Sequence, residues 1–361
     1  MGANMKKTIK FLVCILVIGI ITHMSINQYK GNMVINKWDN IYNENSIIFF
    51  YSNKDDIKIK ALDNKYNLSD KIKDEEDELS KAIKLTEILN SIITFDDVPN
   101  LNRINGFDIL KDKEGSKKVS ARDLGIIYRD FLTSVGYKAR LGEFKKNATI
   151  VSRDKSYYIV EYWSRKYNKW IMIDFIDRGY FDNENFPCGA LEVLESEIRN
   201  LNYAGVTNRK DYIPKIKSFL QSYTINIDNT TDMGKSNSYL TYIKDEKDIV
   251  LKFKDNFIPP TIFTEKKDLI NKNPIDITVS NDKKAYIILM KKQVNDIKEG
   301  SFIIGAFKDG KILEEYYIKE NELEFRKIKS YSDISLEKGN NKIQLSLDGE
   351  NIISTIEIKV K

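Results

Sequence analysis

The side chains that carry most enzyme chemistry are scarce in this 361-residue chain, and their positions limit the mechanisms open to it. It has two cysteines, Cys14 and Cys188, and a single histidine, His23. Cys14 and His23 both lie in an apolar N-terminal segment, so a mechanism that needs a histidine in the folded body is excluded by count. Two cysteines in such different surroundings predict neither a disulfide framework nor a metal site. We expect no bound cofactor.

A helix start at Ser120 is a place where such chemistry could occur. Ser120 followed by Asp123 is close to a capping box, so the helix is predicted over residues 121–135, with Ala121 as its first residue. The backbone N–H groups of a first helical turn are free, and a cysteine there would have a lowered pKa. Alanine has no group to ionise. The apolar stripe of this helix comprises Ala121, Leu124, Gly125, Tyr128, Phe131, Leu132 and Val135.

An aromatic-rich hairpin is predicted downstream of this helix. Its strands are residues 157–163 and 169–175, and a further strand is predicted over residues 149–153. Alternation sends Tyr157, Ile159, Glu161 and Trp163 to one face and Tyr158, Val160 and Tyr162 to the other.

At these motifs the sequence resembles the transglutaminase-like family, which comprises papain-related hydrolases and acyl transferases. That family has a cysteine at a helix start, a Gly-Ile-Pro-Ala-Arg turn, a His-x-x-x-Glu strand and a Trp-x-x-(Ile/Val)-Asp strand. The matching segments here are residues 120–125, 136–140, 157–163 and 170–174, and the resemblance covers roughly residues 45–200. It implies an α+β domain with helices packed on an antiparallel sheet.

The resemblance places the cysteine, histidine and aspartate of the family at Ala121, Tyr157 and Asp174. In such an enzyme the thiolate attacks, the imidazole transfers the proton and the aspartate orients the imidazole. Alanine cannot attack, and a tyrosine with an ordinary pKa of about 10 is a poor base at neutral pH. We therefore expect a catalytically inactive protein.

Two alternatives to an inactive binding protein remain open at this point, a residual enzyme and a structural component. A residual hydrolase or acyl transferase could use Ser120, Cys188 or Asp174, although a capping hydroxyl is usually bonded to backbone and Cys188 is typical of a small buried residue. Asp174 could equally be a strand-end aspartate that accepts backbone N–H groups. In the second alternative, the chain is a structural part of an envelope complex.

Some aromatic side chains of the hairpin could line a cleft. The candidate ligand-binding residues are Tyr157, Glu161, Trp163 and Trp170, which would hold a peptide or glycan through aromatic contacts. A structural role for Glu161 and Trp170 is the alternative.

The N-terminal segment has the pattern of a targeting signal. Lys6, Lys7 and Lys10 precede an apolar run from Phe11 to Ile21, which extends to Ile26 with polar interruptions. This pattern predicts an uncleaved signal anchor over residues 1–29, with a cleaved signal as the alternative, and the body outside the cytoplasm. Cys14 lies within the apolar run, which makes it a poor lipidation site.

The remaining pattern predicts two domains. Residues 30–223 would form the transglutaminase-like domain, with a strand at 46–52, a long helix over 66–93 and further helices within 191–205 and 211–223. Residues 224–361 would form an all-β immunoglobulin-like sandwich, with turns at 308–311, 338–341 and 348–350.

The net charge of +5 arises from interspersed lysines and carboxylates without a long basic run, which argues against nucleic-acid binding. We expect a membrane-anchored extracytoplasmic protein that binds a peptide, a protein or a cell-envelope polymer.

Overall fold

The structure is a computed structural model that describes residues 33–44, 47–146, 156–251, 258–276, 281–291 and 300–361. The predicted signal anchor and the predicted strand at 149–153 lie outside these residues. No helix within the described ranges is long and apolar enough to cross a membrane. The described helices are α1 (Ile57–Tyr66), α2 (Leu68–Lys71), α3 (Glu78–Ile92), α4 (Gly106–Asp112), α5 (Ala121–Ser134), α6 (Ala190–Glu195), α7 (Arg209–Lys217) and α8 (Lys267–Ile270).

Strands dominate the second half of the chain and alternate with helices in the first. They are β1 (Met33–Trp38), β2 (Phe50–Tyr51), β3 (Thr94–Phe95), β4 (Lys118–Val119), β5 (Ala139–Lys145), β6 (Ser156–Ser164), β7 (Lys169–Ile173), β8 (Tyr180–Asn183), β9 (Phe186–Pro187), β10 (Asn202–Ala204), β11 (Ser222–Asn226), β12 (Asp228–Asn229), β13 (Tyr239–Ile243), β14 (Thr261–Thr264), β15 (Tyr286–Met290), β16 (Ser301–Lys308), β17 (Lys311–Ile312), β18 (Glu315–Glu320), β19 (Arg326–Lys329), β20 (Ser332–Ser335), β21 (Gly339–Ser346) and β22 (Ile352–Val360).

A six-stranded sheet carries the first half of the fold. Its order is β14-β13-β11-β5-β6-β7, and all neighbours are antiparallel except β13 and β14. Helix α5 packs on one face through an apolar cluster that includes Leu124, Ile127 and Phe131. Helices α6 and α7 cover the other face. The mixed α+β class predicted from the sequence is confirmed.

Two antiparallel sheets form the C-terminal part. One has the order β1-β22-β21-β18-β19, and in the other β16 pairs with β15, β17 and β20. Both sheets contribute to one apolar cluster, in which Ile287 and Ile304 of the second sheet meet Ile318, Leu345 and Ile356 of the first. The immunoglobulin-like arrangement of these sheets stays a prediction.

The predicted boundary at residues 223 and 224 needs correction, because it falls inside β11. That strand pairs with β5 on one side and β13 on the other, so the first sheet continues to β14. The predicted start of the first domain at residue 30 also differs, because β1 pairs with β22 in the C-terminal sheet. These pairings join segments far apart in sequence, and local patterns carry no signal for them.

The local predictions are correct in some segments and wrong in others. Helix α5 and the β6–β7 hairpin match their predicted limits within two residues. The long helix predicted over 66–93 is wrong at its start, because α1 ends at Tyr66 and α3 begins at Glu78, where Asp77 accepts a hydrogen bond from the Ser80 N–H at 2.8 Å. Within the described residues 47–52 of the predicted strand at 46–52, only Phe50–Tyr51 form a strand, β2. The predicted turn at 338–341 is wrong as well, because Gly339 already begins β21.

Candidate functional site

A cleft of about 510 Å³ opens where the N-terminus of α5 meets one end of the six-stranded sheet. Ser120 and Ala121 at the start of α5 line it, as does Tyr157 on β6. The remaining lining residues come from the connector before α5, from α5 itself, from β5, β6, β11 and β13, from the segment after β7, from the region of α7 and from the residues before β14. They are Phe95, Asp96, Asp97, Val98, Asn100, Asn102, Arg122, Leu141, Gly142, Glu143, Ser156, Tyr158, Ile176, Asp177, Thr207, Tyr212, Lys215, Thr224, Asn226, Tyr239 and Pro259.

The start of α5 is built as the sequence predicts. The Ser120 hydroxyl accepts a hydrogen bond from the Asp123 N–H at 3.1 Å and caps the helix. Asp123 in turn accepts from the Leu101 N–H at 2.8 Å, which ties the connector to the helix. Ala121 is partly exposed and faces the cleft without a polar group of its own. At this end of the helix, a ligand would meet the backbone N–H groups of the first turn of α5 and open space.

Tyr157 and Asp174 are brought together, as the family spacing implies. The Tyr157 hydroxyl donates to Asp174 Oδ2, and the Tyr212 hydroxyl of α7 donates to the same oxygen at 2.7 Å. Asp174 Oδ1 accepts from the N–H groups of Ile176 and Asp177, each at 2.9 Å. Asp174 is fully buried behind the two tyrosines and has four donors.

The electrostatics of this group oppose base catalysis by Tyr157. Burial raises the pKa of Tyr157 far above its ordinary value, and the charge of Asp174 raises it further. Burial also raises the pKa of Asp174, and this effect exceeds the lowering by its hydrogen-bond donors. Tyr157 therefore keeps its proton and acts as a hydrogen-bond donor to the carboxylate.

A second tyrosine–aspartate pair extends this group and was missed by the sequence reasoning. The Tyr203 hydroxyl donates to Asp177 Oδ2 at 2.5 Å, and the Thr207 hydroxyl donates to Asp177 Oδ1. The Tyr203 and Tyr212 rings stack with centroids 3.7 Å apart and an angle of 9°. The only local signal was a pair of aspartates three residues apart after a strand. The tyrosines come from distant segments.

Glu161 and Trp170, predicted as possible ligand contacts, form a buried structural group. Both Arg140 Nε and Nη2 donate to Glu161 Oε2, at 2.8 and 2.6 Å, and the Tyr223 hydroxyl donates to it at 2.7 Å. The Arg140 guanidinium lies 4.0 Å from the centroid of the Trp170 ring. Trp163 packs edge-on against Trp170. None of the three predicted residues lines the cleft, so the structural alternative describes them better.

Cys188 does not reach the cleft either. It is 3 % exposed, and burial raises the pKa of its thiol to about 11. Ser120 does line the cleft, but its hydroxyl oxygen is occupied by the helix cap. Of the predicted site residues, Ala121 and Tyr157 face the cleft, and Asp174 lies directly behind Tyr157. Within the described ranges, no cluster of three His, Cys, Asp or Glu side chains could hold a metal ion.

Glu143 on β5 is a cleft residue that the sequence reasoning did not find. Its Oε1 lies 3.1 Å from the ammonium nitrogen of the fully buried Lys145. Its Oε2 is buried and accepts no hydrogen bond from the described residues. Its side chain is 10 % exposed and lies on the lining beside Tyr158 and Thr224, its cross-strand neighbours. Strand alternation could have placed it with Leu141 and Lys145 on the α5 face.

Comparison with known proteins adds little to the description of this chain. No family model matches the chain, and the search of curated proteins finds no match. Among solved structures, the chain is similar to the crystal structure of red sea bream transglutaminase, at 9 % identity and a TM-score of 0.27, over 88 % of this chain and 77 % of that one. A similarity at this level carries no argument, so the site must be interpreted from its own geometry.

Proposed function

We propose that this chain is a non-catalytic binding protein, built on a transglutaminase-like domain that is degenerate at the cysteine and histidine positions. One observation carries the proposal. An open cleft lies at the N-terminus of α5, but the residue there is Ala121, and the Tyr157 hydroxyl beside it is committed to Asp174. The cleft thus has the position of an acyl-transfer site without a nucleophile or a base.

The size and lining of the cleft favour a chain-like ligand. A volume of about 510 Å³ falls within the range of small-ligand sites, about 300–1,000 Å³. Aromatic rings, Phe95, Tyr158 and Tyr239 among them, offer flat contact surfaces, and side-chain and backbone polar groups offer hydrogen bonds. The ligand we propose is a peptide, a protein segment or a cell-envelope polymer.

The proposed location is the outer face of a membrane. It rests on the basic flank and apolar run of residues 1–29, which together indicate a signal anchor with the body outside the cytoplasm. No nucleic acid is expected as a partner, since the chain lacks a long basic run.

No observation in the described residues favours the residual-enzyme alternative. Cys188 is buried away from the cleft, and the Ser120 oxygen caps α5. The purely structural alternative expects a cleft filled by side chains, and an open cleft favours binding instead.

A cleft-blocking substitution tests the proposal. Ala121→Trp places a large side chain in the cleft from a partly exposed helical position, at a cost in helix propensity below about 0.7 kcal/mol. Binding of the full chain, purified in detergent, to labelled peptides and peptidoglycan fragments should fall at least about tenfold, which is about 1.4 kcal/mol. Glu87→Trp, at an exposed position of α3 outside the cleft, is the matched control and should bind as the wild type does.

Turnover of the same substrates distinguishes the alternatives. The wild type should be inert. In Ala121→Cys/Tyr157→His, the new imidazole must compete with Tyr212 for Asp174 Oδ2, so adding Tyr212→Phe should help any activity that appears. Wild-type turnover that is lost in Asp174→Ala would overturn the proposal. So would ligand binding that Ala121→Trp leaves unchanged.

A further inference from the structure

An unpartnered carboxylate oxygen lies in the wall of the cleft. Glu143 Oε2 is buried and accepts no hydrogen bond within the described part of the chain, while Oε1 is paired with Lys145. A buried carboxylate oxygen without a donor is costly, and a charged donor supplied by a ligand would relieve that cost. The tyrosine ring beside it, Tyr158, could also contact a cation through its face.

Carboxylates outnumber cations among the residues that line the cleft, although the whole chain has a net charge of +5. They are Asp96, Asp97, Glu143 and Asp177 against Arg122 and Lys215. Glu143 also has the buried Lys145 behind it. Asp96 and Asp177 have internal partners, Lys118 at 2.9 Å and Tyr203 at 2.5 Å. Asp97 is exposed at the mouth and Glu143 lies in the wall, so these two are the carboxylates best placed for a ligand.

A second, shallower depression of about 700 Å³ lies beside the cleft, and Asn102 lines both. It also has four carboxylates against two cations, namely Asp55, Asp56, Asp108 and Asp232 against Lys58 and Arg103. Together the two depressions form an acidic groove that runs from the N-terminus of α1 to the wall at Glu143. Such a groove would attract and hold an extended positively charged segment.

We infer that the ligand of the cleft is a basic peptide segment, with one lysine or arginine side chain seated against the Glu143 carboxylate. This inference rests on the proposed binding function and names the chemistry of its ligand. The extended groove takes further cationic residues of the same segment, and backbone N–H groups near Ala121 hold its main chain.

The test uses the full chain in detergent and three capped, labelled peptides in which glycine alternates with lysine, norleucine or glutamate. At low ionic strength the lysine peptide should bind about tenfold or more tightly than the norleucine peptide, the magnitude expected for a charged hydrogen bond. Added salt should reduce this preference. Glu143→Gln should remove most of this preference, since only the other carboxylates of the groove then remain. Glu87→Gln, which removes a carboxylate from an exposed pair with Lys84, should retain it.

Further variants keep the inference testable if Glu143→Gln unfolds the protein by leaving Lys145 uncompensated. Glu143→Gln/Lys145→Met removes both charges of the pair and should also lose most of the preference. Asp97→Asn is exposed, cannot disturb the core, and should weaken lysine-peptide binding about two- to threefold.

The outcomes separate this inference from the proposed function. Equal binding of all three peptides, blocked by Ala121→Trp, would overturn the basic ligand but support a binding cleft. Binding of peptidoglycan fragments alone would do the same. If the preference for the lysine peptide survives unchanged in both Glu143 variants and in Asp97→Asn, the carboxylates of the groove do not cause it. That result would overturn the inference.

Discussion

At the scale of single residues, Asp174 is fully engaged by hydrogen-bond donors, among them Tyr157. In a thiol enzyme the aspartate would orient an imidazole, whereas here two phenols donate to one of its oxygens and two backbone N–H groups donate to the other. The phenol of Tyr157 is held as a donor by the raised pKa that burial and Asp174 give it. Tyr157 therefore lines the cleft as a hydrogen-bonded side chain, with Asp174 buried behind it.

The pH dependence of stability should reveal this buried carboxyl. Because burial raises the pKa of Asp174 in the folded state, the folded protein binds this proton more tightly than the unfolded chain, whose Asp pKa is about 3.9. The stability that this proton contributes is present below about pH 4 and is lost as the pH rises through the folded-state pKa. The free energy of unfolding of the wild type, relative to Asp174→Asn, should therefore fall as the pH rises from about 4 and then level off.

Urea denaturation of the wild type and Asp174→Asn at constant ionic strength measures the difference between their free energies of unfolding. Taking this difference cancels the contributions of the other carboxyls. The asparagine side chain of the variant keeps one acceptor oxygen for the backbone donors, so the variant should fold. Two parallel stability curves would show that the pKa of Asp174 is not raised by folding.

At the scale of elements, helix α5 is the part that sequence reasoning located best. Its limits follow from the cap at Ser120 and from the apolar stripe, and both are local properties. The sequence did not reveal which end of the sheet the helix would face, or that Glu143 would lie beside it. Those facts depend on the packing of α5 against β5 and β6.

The Ser120 cap of α5 leads to a prediction about stability. Ser120→Ala removes the acceptor for the Asp123 N–H and should lower the free energy of unfolding by about 1 kcal/mol. Ser120→Asp is the matched control, because a carboxylate caps equally well and also suits the helix dipole. Chemical denaturation of the two variants measures the effect. Equal losses in both would mean that the position matters through packing and not through capping.

At the scale of the whole molecule, β1, the first described strand, is an edge strand of the C-terminal sheet that contains β22. Strand β1 pairs along most of β22, and Trp38 packs edge-on against Phe263 of the six-stranded sheet. A separate apolar cluster joins Phe144 and Ile159 of that sheet to Tyr286 and Ile288 of β15. The two parts of the protein thus share buried surface, and the segment that follows the proposed anchor belongs to the C-terminal part.

Trp38 should consequently stabilise a sheet that is distant in sequence. It is 4 % exposed, and Trp38→Ala should cost about 3–5 kcal/mol. Hydrogen exchange should quicken in β21 and β22 more than in α5. Val34→Ala on the same strand is the control, since Val34 is exposed and should cost less than about 0.5 kcal/mol. If both substitutions cost equally little, β1 would be a peripheral strand that the sheet does not need.

Features that depend on near neighbours could be predicted from the sequence. The number of histidines can be read directly from the sequence. Residues within one or two turns or strands determine the cap and apolar stripe of α5 and the alternating faces of the β6–β7 hairpin. Convergence of Tyr157 with Asp174 was implied by the spacing of a known family.

Other features became visible only in the folded chain. Tyr212 and Tyr203 complete the group around Asp174, Glu161 is buried with Arg140, and β1 lies beside β22. Each of these contacts joins segments far apart in the chain. Sequence patterns could not predict them, because burial and pairing at such distances are set by the packing of whole sheets and helices.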